Sequence, residues 1–528
     1  MVHSAQSTRA IGKISSAIFL SRILGLIRDQ VFANLFGAGF YSDAWLAAFR
    51  IPNLLRDLVA EGALSAAFVP TFTNLLKNEG RLKAWLLANL VLSWLLIFMG
   101  VVSLAFLFFP EYFIYLVAAG FNDVPGKAEV TQTLLKILSP FLMFLAISSV
   151  AMGILNAFNY FFIPALTPAL FNLALISAGF FLAPQFENWG ILPIHAMAVG
   201  ALTGGILQYL VQLPLLRKQG FRFRFSTSLC NPELRKIASL IAPAILGVGA
   251  IQVNVLVNTQ IASFLQENGP VSWLSYAFRI IYLPIGLFGV AIGVVNLRNV
   301  SVVAAQKKWE ELKQTVADSI KLVALLAIPS TIGLMILAKP IVDVLFERGG
   351  FTPQDTVYTA YAVVFYALGL FAYSCIKVYV PTFYALGNTR IPVKVSLISV
   401  GTNLFINLFL VFCVLPIGYR YLGLALGTAL AVILNVTLLA RAFKKELGSL
   451  SQFGVGKVLW KSLASAMIMG VFVHSVNVSL ERSWGAMGLL EELISLGACL
   501  TVGVVVYFGC CYFFGISEVS HFFRRLTN

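Results

Sequence analysis

The chain has 528 residues, of which 59% are hydrophobic and 11% charged, with a mean hydropathy of +0.88. A soluble domain is about a quarter charged, so this composition excludes a soluble fold and predicts a polytopic membrane protein. A net charge of +15 would raise nucleic acid as a partner elsewhere; here the Lys and Arg lie in short loops between apolar runs, where they set orientation and can attract anionic lipid head groups.

In chain order, about fourteen segments reach the roughly 20 apolar residues that a span needs: 11–36, 42–75, 84–109, 131–156, 162–183, 193–216, 236–265, 271–298, 318–346, 356–385, 391–415, 421–442, 458–478 and 489–514. No small-residue cleavage site follows the first run, so that run is expected in the mature protein. The loops alternate in charge. One set is basic, as in RKQGFRFRFSTSLCNPELRK; the other is acidic or nearly neutral, as in FNDVPGKAEV and LQENGP. The positive-inside rule then predicts both termini in the cytoplasm, which an even number of spans requires.

The expected fold is an all-α integral membrane protein of two six-helix lobes related by a parallel pseudo-repeat, followed by two further helices. The long basic loop divides the chain after the sixth span. The predicted domains are an N-lobe over 1–219, a basic linker over 220–235, a C-lobe over 236–446, and the last two spans with a cytoplasmic tail over 447–528. Six spans per half is even, so the halves share one orientation. GALTG (Gly200, Gly204) in the sixth span and GLALG (Gly423, Gly427) in the twelfth support the repeat, each followed by a basic end.

Charges inside the spans are costly, about 2.5 to 3.5 kcal/mol each at mid-bilayer on an insertion scale, so they should face protein or water rather than lipid. The first two segments hold Arg22, Arg28, Asp29, Asp43, Arg50, Arg56, Asp57 and Glu61. On an unbroken helix Asp43, Arg50, Asp57 and Glu61 fall on nearly one stripe, which Pro52 is expected to bend. Arg22 and Asp29 share a face, with Ser21 and Arg28 beside them. In the second half, Arg279 and Lys377 are added. A guanidinium is always charged and engages phosphate in two-point geometry, so converging arginines suit a multiply anionic ligand such as a pyrophosphate. Mutual neutralisation of Arg28 with Asp29 and of Arg56 with Asp57 is the competing structural role.

Other chemistry is sparse. There is no HExxH, GxSxG or phosphate-cradling GxxxxGK[ST], and the four histidines sit near termini, loops or span ends. An enzyme is therefore not expected, and neither is a cofactor. The six cysteines form no CxxC and read as inert thiols. Asn254 with Asn258, and Asn403 with Asn407, stand at i, i+4 in the seventh and eleventh spans. They are candidates for a Na⁺ site or for interhelical glue.

SRILGLIRD, FGAG followed by SDA and FRIPNLLR, and AEGALSAAFVP resemble the signature of the lipid II flippases, the MurJ or MviN family of the MOP exporter superfamily. The resemblance continues through LNAFNYFFIPALTPALFN, APAILGVGAIQ, SWLSYAFR and FYALGNTRIPVK. It implies fourteen helices, two lobes around a central cavity, and a hydrophobic groove involving the last two helices. By motif, the family's substrate-binding residues fall on Ser21, Arg22, Arg28, Asp29, Asp43, Arg50, Glu61 and Arg279. Two departures stand out: Phe278 where relatives often have an acid before the arginine, and Leu297-Arg298 where they usually have Leu-Pro. A cation site between the seventh and eleventh spans of related transporters would meet Asn rather than Asp here.

The implied function is movement of lipid II, the undecaprenyl-pyrophosphate-linked cell-wall precursor, from the inner to the outer leaflet of the bacterial cytoplasmic membrane by alternating access. Membrane potential or a monovalent cation would drive it. Expected partners are lipid II, membrane lipids and possible cell-wall synthesis proteins, with no nucleic acid. The alternative within the superfamily is an exporter of another lipid-linked oligosaccharide or of a drug.

Overall fold

The computed structural model describes residues 2–57, 64–228, 231–265, 268–484, 488–516 and 518–519. Every regular element among them is helical. Hydrocarbon offers no partners to a backbone, and a helix satisfies its N–H and C=O groups within one segment. The fold class expected from composition is the one observed.

Packing separates two compact units, Met1–Val271 with Arg348–Phe351, and Ser272–Glu347 with Thr352–Asn528. The first holds α1 (Val2–Phe36), α2 (Phe40–Leu55), α3 (Leu64–Asn78), α4 (Arg81–Phe108), α5 (Pro110–Ala118), α6 (Lys127–Leu138), α7 (Phe141–Ala157), α8 (Phe162–Ser177), α9 (Ala183–Asn188), α10 (His195–Leu210), α11 (Leu213–Lys218) and α12 (Pro232–Ser263). The second holds α13 (Pro270–Pro284, whose first two residues belong to the first unit), α14 (Ala291–Ala305), α15 (Trp309–Ile336), α16 (Ala338–Phe346), α17 (Pro353–Ala367), α18 (Leu370–Ala385), α19 (Arg390–Phe409), α20 (Arg420–Leu447), α21 (Val455–Trp484) and α22 (Leu489–Phe513). α12 packs on α5 and α3 within the first unit, one span beyond the basic loop at which the sequence divides the chain.

Nine helical stretches among the described residues are long and apolar enough to span a membrane, or up to eleven if two bent pairs count as one span each. This count, made over the described residues, does not confirm the expected total of fourteen. α1 carries Arg22, Arg28 and Asp29 within a few turns, α2 is only 16 residues long and ends before 58–63, which lie outside the described residues, and the α12 side chains over 240–251 are likewise not described.

Long spans are not uniform rods. π-helical turns interrupt three of them, at Ala178–Leu182, Ile285–Val290 and Leu410–Val414. Such wide turns recur at functional sites in helical proteins. The matched glycines do the same work in both units. A Cβ at Gly200 would lie 2.5 Å from that of Ala178, and one at Gly204 2.8 Å from the Phe171 ring, so α10 meets α8 backbone to backbone. In the second unit, a Cβ at Gly423 would stand 3.0 Å from Leu410, and one at Gly427 would strike the Asn407 amide oxygen, closing α20 on α19. Small residues allow this approach where lipid supplies no hydrophobic drive.

The core of the first unit gathers Phe68, Phe72, Leu87, Ile154 and Leu155 from α3, α4 and α7; in the second, Met469, Val473, Cys499, Tyr507 and Cys511 join α21 to α22. Cys375 is also buried, while Cys413 is exposed. Large apolar side chains such as Leu82, Phe98, Val101, Phe181 and Phe513 cover the outside, the surface that acyl chains solvate.

Candidate functional site

The charged residues of α1 form a polar cluster in apolar sequence. Arg28 donates from Nε and Nη2 to Asp29 Oδ1, at 3.0 and 2.7 Å, and from Nη1 to Asn172 Oδ1 on α8 at 2.9 Å. Asn172 in turn donates from Nδ2 to the carbonyl of Ser21, 3.0 Å away. Gly25 leaves the room, since a Cβ there would already touch the amide nitrogen at 3.4 Å. One amide thus clips α1 to α8 and fixes the guanidinium plane. Arg22 is exposed, and makes no hydrogen bond or ion pair among the described residues. Ser21, Arg28 and Asp29 are half-buried. The structure therefore brings Ser21, Arg28 and Asp29 together, with Arg22 presented beside them.

Asp43 does something else. Expected on a cavity wall, it is 1% exposed at its side chain, and its Oδ2 accepts from Lys127 Nζ at 2.9 Å and from the backbone N–H of Gly269 at 2.8 Å. Lys127 also donates to Asn268 at 3.2 Å and lies 4.3 Å from the Phe121 ring centroid. The two loops FNDVPGKAEV and LQENGP meet at this carboxylate. The stripe predicted from Asp43 through Glu61 is broken here: α2 ends at Leu55, and Arg56 and Asp57 lie in a π turn. Arg56 and Asp57 pair at 3.3 Å, and Gln252 of α12 donates to Asp57 at 3.1 Å. Arg50 is half-buried on α2, and Glu61 lies outside the described residues.

In the second unit Arg279 is half-buried on α13 and Lys377 half-buried on α18. Phe278, in place of an acid, packs its ring edge-on against Tyr366 and Tyr373, with centroids 5.5 and 6.0 Å away. The residue beside Arg279 thus belongs to an aromatic cluster. Arg298 is exposed on α14. The Asn pairs bond within their own helices: Asn258 to Asn254 at 3.5 Å on α12, and Asn407 to Asn403 at 3.0 Å on α19, where Asn403 also reaches Thr428 of α20 at 3.4 Å. The Asn403–Thr428 contact joins two helices, as amides do in membrane proteins. No group of three His, Cys, Asp or Glu able to hold a metal occurs among the described residues.

Sequence reasoning missed Asn172, Lys127 and Gln252. Asn172 was visible as a lone amide in an apolar span, a position that calls for a polar partner. Lys127 was the one cation of an otherwise acidic loop. Gln252 carried no distinguishing signal.

The family model for "Lipid II flippase MurJ" matches residues 32–495. The "Probable lipid II flippase MurJ" of Vibrio cholerae serotype O1 is 33% identical over 513 residues, covering 95% of each chain. The "Lipid II flippase MurJ" of Burkholderia cenocepacia is 32% identical over 524 residues, covering 98% of this chain and 99% of the relative. A solved lipid II flippase MurJ in an inward closed conformation superposes with a TM-score of 0.78 at 28% identity, covering 98% of this chain and 99% of that one. An inward-facing multidrug transporter of the MATE family, within the MOP superfamily, shares the fold alone, with a TM-score of 0.66 at 14% identity over 84% of this chain and 99% of that one. The chain belongs to the MurJ family of lipid II flippases.

Proposed function

We propose that this chain moves lipid II from the inner to the outer leaflet of the bacterial cytoplasmic membrane for cell-wall synthesis. The observation that carries the reading is the α1 cluster in a family member aligned over nearly its whole length: Arg22 exposed in a span, beside Arg28 held in one orientation by Asn172 and Asp29. A pyrophosphate needs more than one guanidinium in fixed geometry, and desolvation strengthens each contact. Ser21, Arg22, Arg28, Asp29, Arg50 and Arg279 engage or orient the head group; Asp43 supports them by holding α2, and Glu61 is carried only by the resemblance.

The head group enters from the cytoplasmic side while the polyprenyl tail stays in lipid, and the two lobes alternate access around it. Both termini are cytoplasmic. No covalent bond changes, so the protein is a transporter and not an enzyme. With no phosphate-cradling loop in the sequence, the drive is ionic. One charge crossing a 100 mV potential is worth about 2.3 kcal/mol, enough to reset a positively charged site. A monovalent cation at the Asn403–Asn407 amides is the second possible drive, and cell-wall synthases are the natural protein partners.

The test is to deplete the endogenous flippase of a host bacterium, express this chain, and measure labelled lipid II in the outer leaflet. Restored externalisation, lost again in Arg28→Ala, is the expected result. Well-inserted protein that leaves lipid II inside, but externalises another lipid-linked oligosaccharide, would move the substrate assignment to that glycan.

A further inference from the structure

We infer that the basic loop between α11 and α12 carries an open β-edge, built to take up an extended acidic peptide of another protein as a second strand. Residues 221–226 read Phe-Arg-Phe-Arg-Phe-Ser and run without helix or turn. Two polar side chains of α4 stand in for a neighbouring strand. Asn89 donates to the carbonyl of Arg222 at 3.5 Å and accepts from the N–H of Arg224 at 3.0 Å, and Ser93 accepts from the N–H of Ser226 at 3.0 Å. The spacing explains the fit: four residues of helix rise about 6 Å, and two residues of extended chain about 6.6 Å. Asn89 and Ser93 are buried, so the extended path is built into the fold.

These bonds all fall on even-numbered residues, which places them on one edge of the strand. The backbone groups of Phe223 and Phe225 then point to the opposite edge. Neither their N–H nor their C=O groups have a hydrogen-bond partner among the described residues. Phe223 and Phe225 are 45% and 64% exposed, and Arg217, Lys218, Arg222 and Arg224 are exposed around them. No Asp or Glu occurs between Glu187 and Glu233, and none of these four cations is in an ion pair among the described residues. Such an edge selects its occupant. A phosphate can accept from the two N–H groups but has nothing to donate to the two carbonyls, whereas a peptide strand does both. A second copy of this chain would set Arg against Arg, which destabilises opposed strands. Side chains alternate along a strand, so Arg222 and Arg224 lie on one face and the phenylalanines on the other. The matching segment therefore alternates acidic with apolar residues: main-chain bonds give it affinity, and the alternate side chains give specificity. The orientation proposed above places the loop in the cytoplasm, within reach of such a segment.

A fluorescein-labelled peptide of alternating Glu and Val is titrated with the full-length protein in phosphatidylcholine nanodiscs, and binding is read by fluorescence anisotropy. Saturable binding is expected. The same peptide methylated at every backbone nitrogen keeps its charge and side chains but cannot donate along the edge. It should bind at least about tenfold more weakly, since each net hydrogen bond is worth roughly a two- to tenfold factor. Phe225→Pro removes one N–H from the free edge and leaves the Asn89 and Ser93 bonds in place; it should weaken the unmethylated peptide about fivefold or more. R222Q/R224Q should weaken it several-fold at low salt. Absence of saturable binding, equal affinity for the methylated peptide, or undiminished affinity in either folded variant would each overturn the proposal. Should Phe225→Pro fail to fold, the methylated peptide decides by itself, because it leaves the protein unchanged.

Discussion

Two ion pairs in the first unit use the same chemistry to opposite ends. Arg28 and Asp29 are sequence neighbours, 23% and 13% exposed, and Arg28 reaches the neutral amide of Asn172 on α8. Asp43 and Lys127 are 84 residues apart, 1% and 3% exposed, and close two loops on each other. A pair between neighbours adds little to the fold, because adjacent residues are already held together by the chain; its value lies in presenting a cation. A buried pair between distant elements costs much to desolvate, and removing either member strands the other. The difference separates a group kept for a ligand from one kept for the scaffold, although both lie in segments that look alike in sequence.

The sharpest way to break this contrast is Lys127→Ala. It leaves the Asp43 carboxylate buried without its cation, and should destabilise the protein by about 3 to 5 kcal/mol, read as a lower melting temperature and reduced membrane insertion. The double variant Lys127→Met with Asp43→Leu should recover most of that loss; no recovery would mean that the charges are not the source. Arg28→Ala should show the reverse profile, with lipid II externalisation abolished and stability changed by about 1 kcal/mol or less, since the pair is partly exposed. Arg28→Lys should restore charge but only part of the transport, because an ammonium lacks the two-point fork.

Asn172→Ala tests the clip itself. Helix association should weaken by about 0.6 kcal/mol, while transport falls roughly tenfold because Arg28 is no longer oriented; an unchanged transport rate would assign Asn172 to packing alone. The smallest effect belongs to an ion pair of a third kind, Lys83 with Glu79 at 2.6 Å, 65% and 42% exposed. Glu79→Gln should cost about 0.3 to 0.5 kcal/mol at low salt and nothing measurable at high salt.

The all-helical membrane class was readable in the sequence because burial in lipid writes itself as uninterrupted apolar runs. The glycines of GALTG and GLALG were readable for a related reason, since close helix approach admits few residue types. The location of Arg22, Arg28 and Asp29 on one helix followed from local spacing. What spacing could not supply was the partner of each charge. Asp43 lies on the same ideal stripe as Arg50, yet a lysine 84 residues away withdraws it into the protein. Beyond Leu55 the ideal spacing meets a π turn at Arg56 and Asp57, which shifts their phase, and Glu61 lies outside the described residues.

The same kind of turn alters the phase of the longest helical stretch of the second unit. Arg279 and Arg298 are nineteen positions apart on the path from α13 to α14, so a regular helix would point them about 100° from each other. The wide turn at Ile285–Val290 takes up roughly one residue of winding, which returns the two to nearly the same azimuth. Removing a single residue from that turn would tighten it to an ordinary α-helix and swing everything from Ala291 to Ala305 by roughly a quarter turn. The compass bearing of α14, and with it the direction in which Arg298 looks, is set by one extra residue six positions beyond Arg279.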